Sequence, residues 1–340
     1  RLMGMESREA EVAKLIGCRV QPTRTIYTLD AGGVTVTLTF TSPLLPDDLE
    51  LIGRPASYIA WSLKSTDGRT HDVDLYFDHT AELVVNEPKQ NVEWSRAEAA
   101  GMDVMRMGTK DQPILERDGD DLRIDWGYSH LAVPEKQSAA TLIAGATVAR
   151  ESFVTAGRIE GSDDTTMPRP ASQNWPVCAV AFDCGRVADQ SVEKWLILAY
   201  DDVYSIQYFD ERLRPWWRRD GAEPTQLLTA AAQAYEDVTA RCRRFDEQLT
   251  TDARRIGGEK YADLCALAYR QAIAAHKLVA APDGTPMLFS KENNSNGCIA
   301  TVDVAYPASP IFMLLSNDLL KAMIERSEER RVGKECRSRW

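Results

Sequence analysis

Residues 288–312, "LFSKENNSNGCIATVDVAYPASPIF", gather a lysine, a glutamate, three asparagines and an aspartate between two helical patterns. Lys291 and Glu292 are the types needed for an ion-paired acid/base couple, or for holding a charged substrate. Asn293, Asn294 and Asn296 supply amide donors and acceptors that fix a ligand's orientation. The same composition suits a tight turn, because Asn sustains turns and Gly297 permits positive φ. The apolar run that follows is expected to be largely buried, and Asp303 just inside it then needs a partner. A polar loop held by buried flanks is how a rigid scaffold presents binding groups. Spacing alone leaves both readings open, turn and site.

Other stretches carry weaker signals. In "RPWWRR" the adjacent Trp216 and Trp217 offer an aromatic platform for a sugar, or else each plugs one domain and sets the angle between them. "DDLRIDWGYSHLAV" poses the same choice at Trp126, Tyr128 and His130, and burial is the expected role. Strand alternation in "HDVDLYFDHT" puts Asp72, Asp74 and Asp78 on one face. Three carboxylates there fit calcium, but a solvated outer face is expected. His71 and His79 fall on the apolar face as structural residues. Seven cysteines include no Cys-x-x-Cys pair and no zinc-like spacing with His, and are expected as small buried hydrophobes. There is no GxSxG, no Ser-His-Asp pattern, no GxGxxG and no P-loop.

The elements that must position these residues fall into two halves. From about residue 20 to 210 the apolar pattern alternates: "GVTVTLTF" sets Val34, Val36, Leu38 and Phe40 on one face, and "SYIAWSLKS" and "HDVDLYFDHT" follow. "ATVARESFVTAG", "VCAVAFDCG" and "KWLILAYDDVYSIQYF" are expected to continue the series as strands. So many short alternating runs predict an antiparallel β-sandwich. Near residue 215 the period becomes helical. Leu227, Leu228, Ala231, Ala234, Tyr235 and Val238 predict a helix over 224–258. Leu264, Leu267, Ala268, Ala272, Ala275 and Val279 predict a second over 259–284, stopped by a Pro-Asp-Gly turn. A third is expected to start near "SPIFMLL". Strands first and helices afterwards make an α+β multidomain chain: β-sandwich 1–210, linker 211–224, helical domain 225–324, and a tail 325–340.

The chain has 340 residues, room for about two domains, with 44% hydrophobic and 27% charged content. A net charge of −11 disfavours a nucleic-acid partner, and no stretch approaches the length of a membrane span. No metal or organic cofactor is required by any motif.

The string "LFSKENNSNGCIATVDVAYPASPIFMLLSNDLLKAMI", with "LAYRQAIAAHKLV" and "RPWWRRDG" before it, resembles the glutaminase A-like proteins. "RPASYIAWSLKSTDGRTHDVDLYFDHTAELVVN" and "LRIDWGYSHLAVP" resemble that family's amino-terminal β-domain. The resemblance implies a β-sandwich followed by the first helices of an (α/α)6-type six-hairpin barrel, and hydrolysis of L-glutamine to glutamate and ammonia. Glycosidases share that scaffold, so a glycoside is the rival small-molecule substrate. Glu292 and Asp303 are then the candidate catalytic carboxylates, and Lys291, Asn293, Asn294, Asn296, Trp216 and Trp217 the candidate substrate-binding residues. A third alternative is a non-catalytic β-sandwich that binds a carbohydrate or a partner. An extracellular or periplasmic location also follows from the resemblance. The ending "ERSEERRVGKECRSRW" departs from the family pattern and resembles translated vector sequence. The chain is therefore expected to be a fragment, truncated at both ends, inactive and aggregation-prone alone.

Overall fold

The computed structural model describes residues 1–3, 11–117, 121–291 and 298–329. Alternation of threonines with apolar residues builds a meander of β1 (Lys14–Val20), β2 (Arg24–Asp30) and β3 (Val34–Thr41), then the one-turn helix α1 (Leu49–Ile52) and β4 (Ala56–Ser65). After β5 (His71–Thr80) come β6 (Asn91–Ala99), β7 (Met102–Thr109), β8 (Tyr128–Pro134) and β9 (Ala139–Gly145). Helix α2 (Ala146–Ala156), the two-residue β10 (Arg169–Pro170), β11 (Pro176–Val187) and β12 (Val192–Asp201) complete the two large sheets. One sheet has nine strands in the order β1-β2-β3-β4-β12-β8-β7-β6-β10, and the other three, β5-β11-β9. Every pairing in them is antiparallel.

The sheets face each other across one core. Leu38, Trp61, Leu63 and Leu196 of the large sheet meet Cys178, Val180 and Phe182 of the small one. This is the expected sandwich, and the period-2 burial of β3 matches its sequence. Outside the small sheet α2 covers Leu142, Val177 and Ala179 with Ala146 and Ala149. That helix corrects the strand expected over "ATVARESFVTAG". Ala146, Ala149 and Phe153 repeat at helical spacing, and Gly157 closes the helix at φ 70°.

Beyond the sandwich the short hairpin β13 (Ile206–Tyr208) and β14 (Glu211–Leu213) leads to α3 (Pro224–Gln233) and α4 (Tyr235–Gly257). These helices cover the other face of the nine-stranded sheet, where Leu228, Ala231, Val238 and Cys242 pack on Tyr58, Trp195 and Ile197. Tyr235 stacks on Trp195 at 4.0 Å and 7°, and the Tyr58 hydroxyl donates to Ala231 O at 2.7 Å. A buried ionic knot adds to the contact. Asp246 of α4 accepts from Thr23 N at 2.8 Å, Thr23 Oγ1 at 2.9 Å and Arg24 Nε at 2.7 Å.

Helix α5 (Glu259–Ala274) ends earlier than its sequence suggests, and its continuation is a β-hairpin, β15 (His276–Ala280) and β16 (Pro286–Ser290) around Pro282-Asp283-Gly284. The buried face of α5 is Ala262, Ala266, Tyr269 and Ile273, which corrects the expected one; Leu264 and Leu267 point to solvent. Small alanines fill a close approach, so the larger leucines gave a false stripe. Helices α6 (Val302–Leu315) and α7 (Asn317–Glu329) follow. α6 begins earlier than expected and runs through Pro307 and Pro310. The apolar run is also not largely buried: after Ile299, Phe312 is the one buried residue of α6, while Tyr306 and Leu314 are 80% and 81% exposed. Residues 330–340 of the tail lie outside the described residues.

Candidate functional site

The hairpin β15–β16 has two differently occupied faces. Leu278 and Leu288 join Trp216, Tyr269, Phe312 and Leu319, whereas Val279, Met287 and Phe289 join Ile206, Tyr208 and Leu213. Strand alternation alone produces this division. Two ion pairs nearby bind the hairpin and the Trp pair to the end of β12. Lys277 Nζ lies 2.7 Å from Asp202 Oδ2, and Arg218 Nη1 donates to Asp201 Oδ2 at 2.7 Å.

At the hairpin's open end Lys291 makes an antiparallel bridge with Ile299. Lys291 N–H donates to Ala275 O at 2.9 Å, and Ala300 N–H to Ser290 O at 2.8 Å. The chain on either side of 292–297 is thus pinned at one place, between the end of α5 and the start of α6. Glu292, Asn293, Asn294 and Asn296 lie outside the described residues. The Lys291 side chain is half-buried, and burial lowers its pKa below the ordinary lysine value.

His276 and Ser290 are cross-strand partners on the face that carries Leu278 and Leu288. His276 Nδ1 lies 2.5 Å from Ala272 O. A carbonyl only accepts, so Nδ1 carries the proton and Nε2 holds a lone pair. Burial also depresses the His276 pKa, favouring the neutral ring. Neither Nε2 nor the Ser290 hydroxyl has a hydrogen-bond partner among the described residues. Sequence reasoning missed both residues by extending α5 too far. The signal was present: Pro-Asp-Gly flanked by "HKLVA" and "PMLFS" is a hairpin pattern.

Asp303 sits in the first turn of α6, exposed. This corrects its expected burial: water and the helix N-terminus accommodate the carboxylate, and no buried partner is required. Trp216 and Trp217 are 8% and 9% exposed. Trp216 Nε1 donates to Glu50 Oε1 at 3.0 Å, and its ring lies 4.1 Å under Arg219. Trp217 instead borders β12 and α3, beside Ala199, Tyr200 and Leu228. Each Trp packs where the sandwich meets the helical part, and neither presents an open aromatic face. His130 and Trp126 are likewise buried, the latter donating to Asp202 O at 2.9 Å. Of the acidic strand, Asp78 is held by Arg150 at 2.7 and 2.9 Å, while Asp72 and Asp74 face solvent. No metal-holding group of His, Cys, Asp or Glu occurs among the described residues.

The sequence pattern of the domain of unknown function DUF5127 matches residues 23–252, and that of the glutaminase A six helical-hairpin domain matches 258–329. The chain belongs to the glutaminase A-like family. Members similar to it include "Glutaminase A" of Aspergillus oryzae, 28% identical over 89% of this chain and 44% of that protein. "Probable glutaminase" of Arthroderma benhamiae is 24% identical over 87% of this chain and 35% of its own length. The chain thus spans less than half the length of these two relatives. Lys291, Asp303 and the hairpin all fall within the six-hairpin match.

Proposed function

We propose that this chain contributes to a glutaminase-type hydrolase that cleaves the side-chain amide of L-glutamine to glutamate and ammonia, with the substrate bound where the chain is pinned around 292–297. The observation that carries this reading is the match of 89% of the chain to a relative named glutaminase A. The half-buried Lys291 supports it, because free glutamine presents an α-carboxylate and a partly desolvated ammonium binds one strongly. In this reading Asn293, Asn294 and Asn296 orient the carboxamide. Asp303 and Glu292 share the proton transfers: one activates water and the other protonates the departing ammonia. No metal or organic cofactor enters the scheme. Trp216 braces the wall behind the hairpin, and Trp217 packs on β12 and α3. The test is an assay of the full-length gene product for ammonia release from glutamine, run beside a panel of aryl glycosides. Ammonia without sugar release supports the amidase; sugar release replaces it with the glycosidase on the same scaffold; binding without turnover leaves a carbohydrate- or partner-binding module.

A further inference from the structure

The hairpin that ends at Lys291 is anchored at two places along β15. Near its turn Ala280 N–H donates to Arg214 O at 3.2 Å, and Val279 bridges to Pro215. At the open end the anchor is a side chain. Lys277, the cross-strand partner of Phe289, reaches Asp202 just beyond β12, with Nζ 2.7 Å from Oδ2. The Lys277 and Asp202 side chains are 21% and 9% exposed, so the pair is largely shielded from water. The other carboxylate oxygen of Asp202, Oδ1, is buried with no hydrogen-bond partner among the described residues. A buried carboxylate needs compensation, and here it comes through Oδ2.

Asp202 is itself fixed by the sandwich. Its carbonyl accepts from Trp126 Nε1 at 2.9 Å, and the same indole N–H reaches Tyr204 O at 3.0 Å. Gly127 closes on this strand end so tightly that a Cβ there would lie 2.2 Å from Asp201 O. From the ion pair to the loop the path is short: two residues before Lys277, the carbonyl of Ala275 accepts the Lys291 N–H at 2.9 Å. From this juxtaposition we infer that Asp202 is a positioning residue for the glutamine site: through Lys277 the β-sandwich fixes the open end of the hairpin and so sets where Lys291 stands. The inference rests on the proposed reading of Lys291 as the anchor of the substrate carboxylate. Asp202 touches no substrate, and its effect falls on binding.

Ammonia-release kinetics of the full-length protein, read as KM against kcat, test the inference. Asp202→Asn is expected to raise KM about tenfold with kcat within about twofold of wild type. A merely structural loss lowers the active fraction, and hence kcat, at unchanged KM; that result overturns the assignment. On a Lys291→Met background Asp202→Asn is expected to add nothing to KM, and effects that multiply independently overturn it. Lys277→Arg keeps a cation for Asp202 and is expected to hold KM within about threefold of wild type. Should Asp202→Asn fail to fold because it strands the Lys277 ammonium, the pair Asp202→Asn and Lys277→Gln, which leaves neither charge, takes its place. Amide hydrogen exchange in the 340-residue chain gives a readout that needs no turnover. In Asp202→Asn the Lys291 amide is expected to exchange about tenfold faster, with Val180 of the sandwich core unchanged. A wild type that releases no ammonia from glutamine removes the amidase reading alone. Lys291 exchange then decides: faster exchange supports the positioning role, and unchanged exchange overturns it.

Discussion

His130 shows how one side chain sets a pH dependence. Burial, reinforced by the nearby Arg106 and Arg218 guanidiniums, depresses its pKa to about 4. The unfolded chain titrates near the ordinary histidine value, about 6.5. Between those two values the unfolded state binds the extra proton, so stability is present above about pH 6.5 and is lost as pH falls toward about 4. The loss attributable to this ring is on the order of 3 kcal/mol. Comparing the unfolding free energy of wild type and His130→Asn across that range isolates it, because buried carboxylates such as Asp201, raised by their own burial, titrate in both proteins. Asp246 makes a second residue-scale case. Asp246→Ala strands Arg24, whose side chain is 11% exposed, and is expected to cost about 3–5 kcal/mol in urea unfolding. Sequence inspection found neither role: His130 read only as structural, and Asp246 is an unremarked acid in a charged helix, whose partner lies 222 residues away.

The β15–β16 hairpin carries the energetics of the helical part, because its two faces feed two cores. Phe289 is fully buried against Tyr208, with ring centroids 5.2 Å apart. Phe289→Ala is expected to cost about 3–5 kcal/mol, measured by denaturant unfolding. A loss below about 1 kcal/mol would mean that the hairpin is loosely held. Element by element, legibility followed the strength of the period. β3 was plain because threonine and valine alternate without interruption. α2 was misread because Thr147, Val148 and Val154 favour strands, and only packing of Ala146 and Ala149 on the small sheet overrides them. The face of α5 was misassigned because alanine carries its close contacts. In each case tertiary contact, which local pattern does not encode, decided the outcome.

At the scale of the molecule, the sandwich and its covering helices contrast with the bare helix faces on α5 and α6. Leu264 is 64% and Leu314 81% exposed, and apolar patches of this kind drive self-association. Sedimentation velocity on the 340-residue chain is expected to show concentration-dependent association, reduced by the double change Leu264→Glu and Leu314→Glu; identical profiles would contradict that. The sandwich-then-helices order was readable from the shift in period near residue 215. Of the candidate site, the sequence named Lys291, its loop and Asp303 but expected Asp303 buried where it is exposed, and the pairing of His276 with Ser290 went unseen because cross-strand pairing is set by the register. The proposed glutamine site is anchored at Lys291. Steady-state kinetics of ammonia release by the full-length protein and its Lys291→Met variant test it most directly. The account predicts glutamine turnover in the wild type and a KM raised at least about tenfold in the variant, with unfolding unchanged. Equal KM values, or a wild type that releases no ammonia from glutamine, would contradict it.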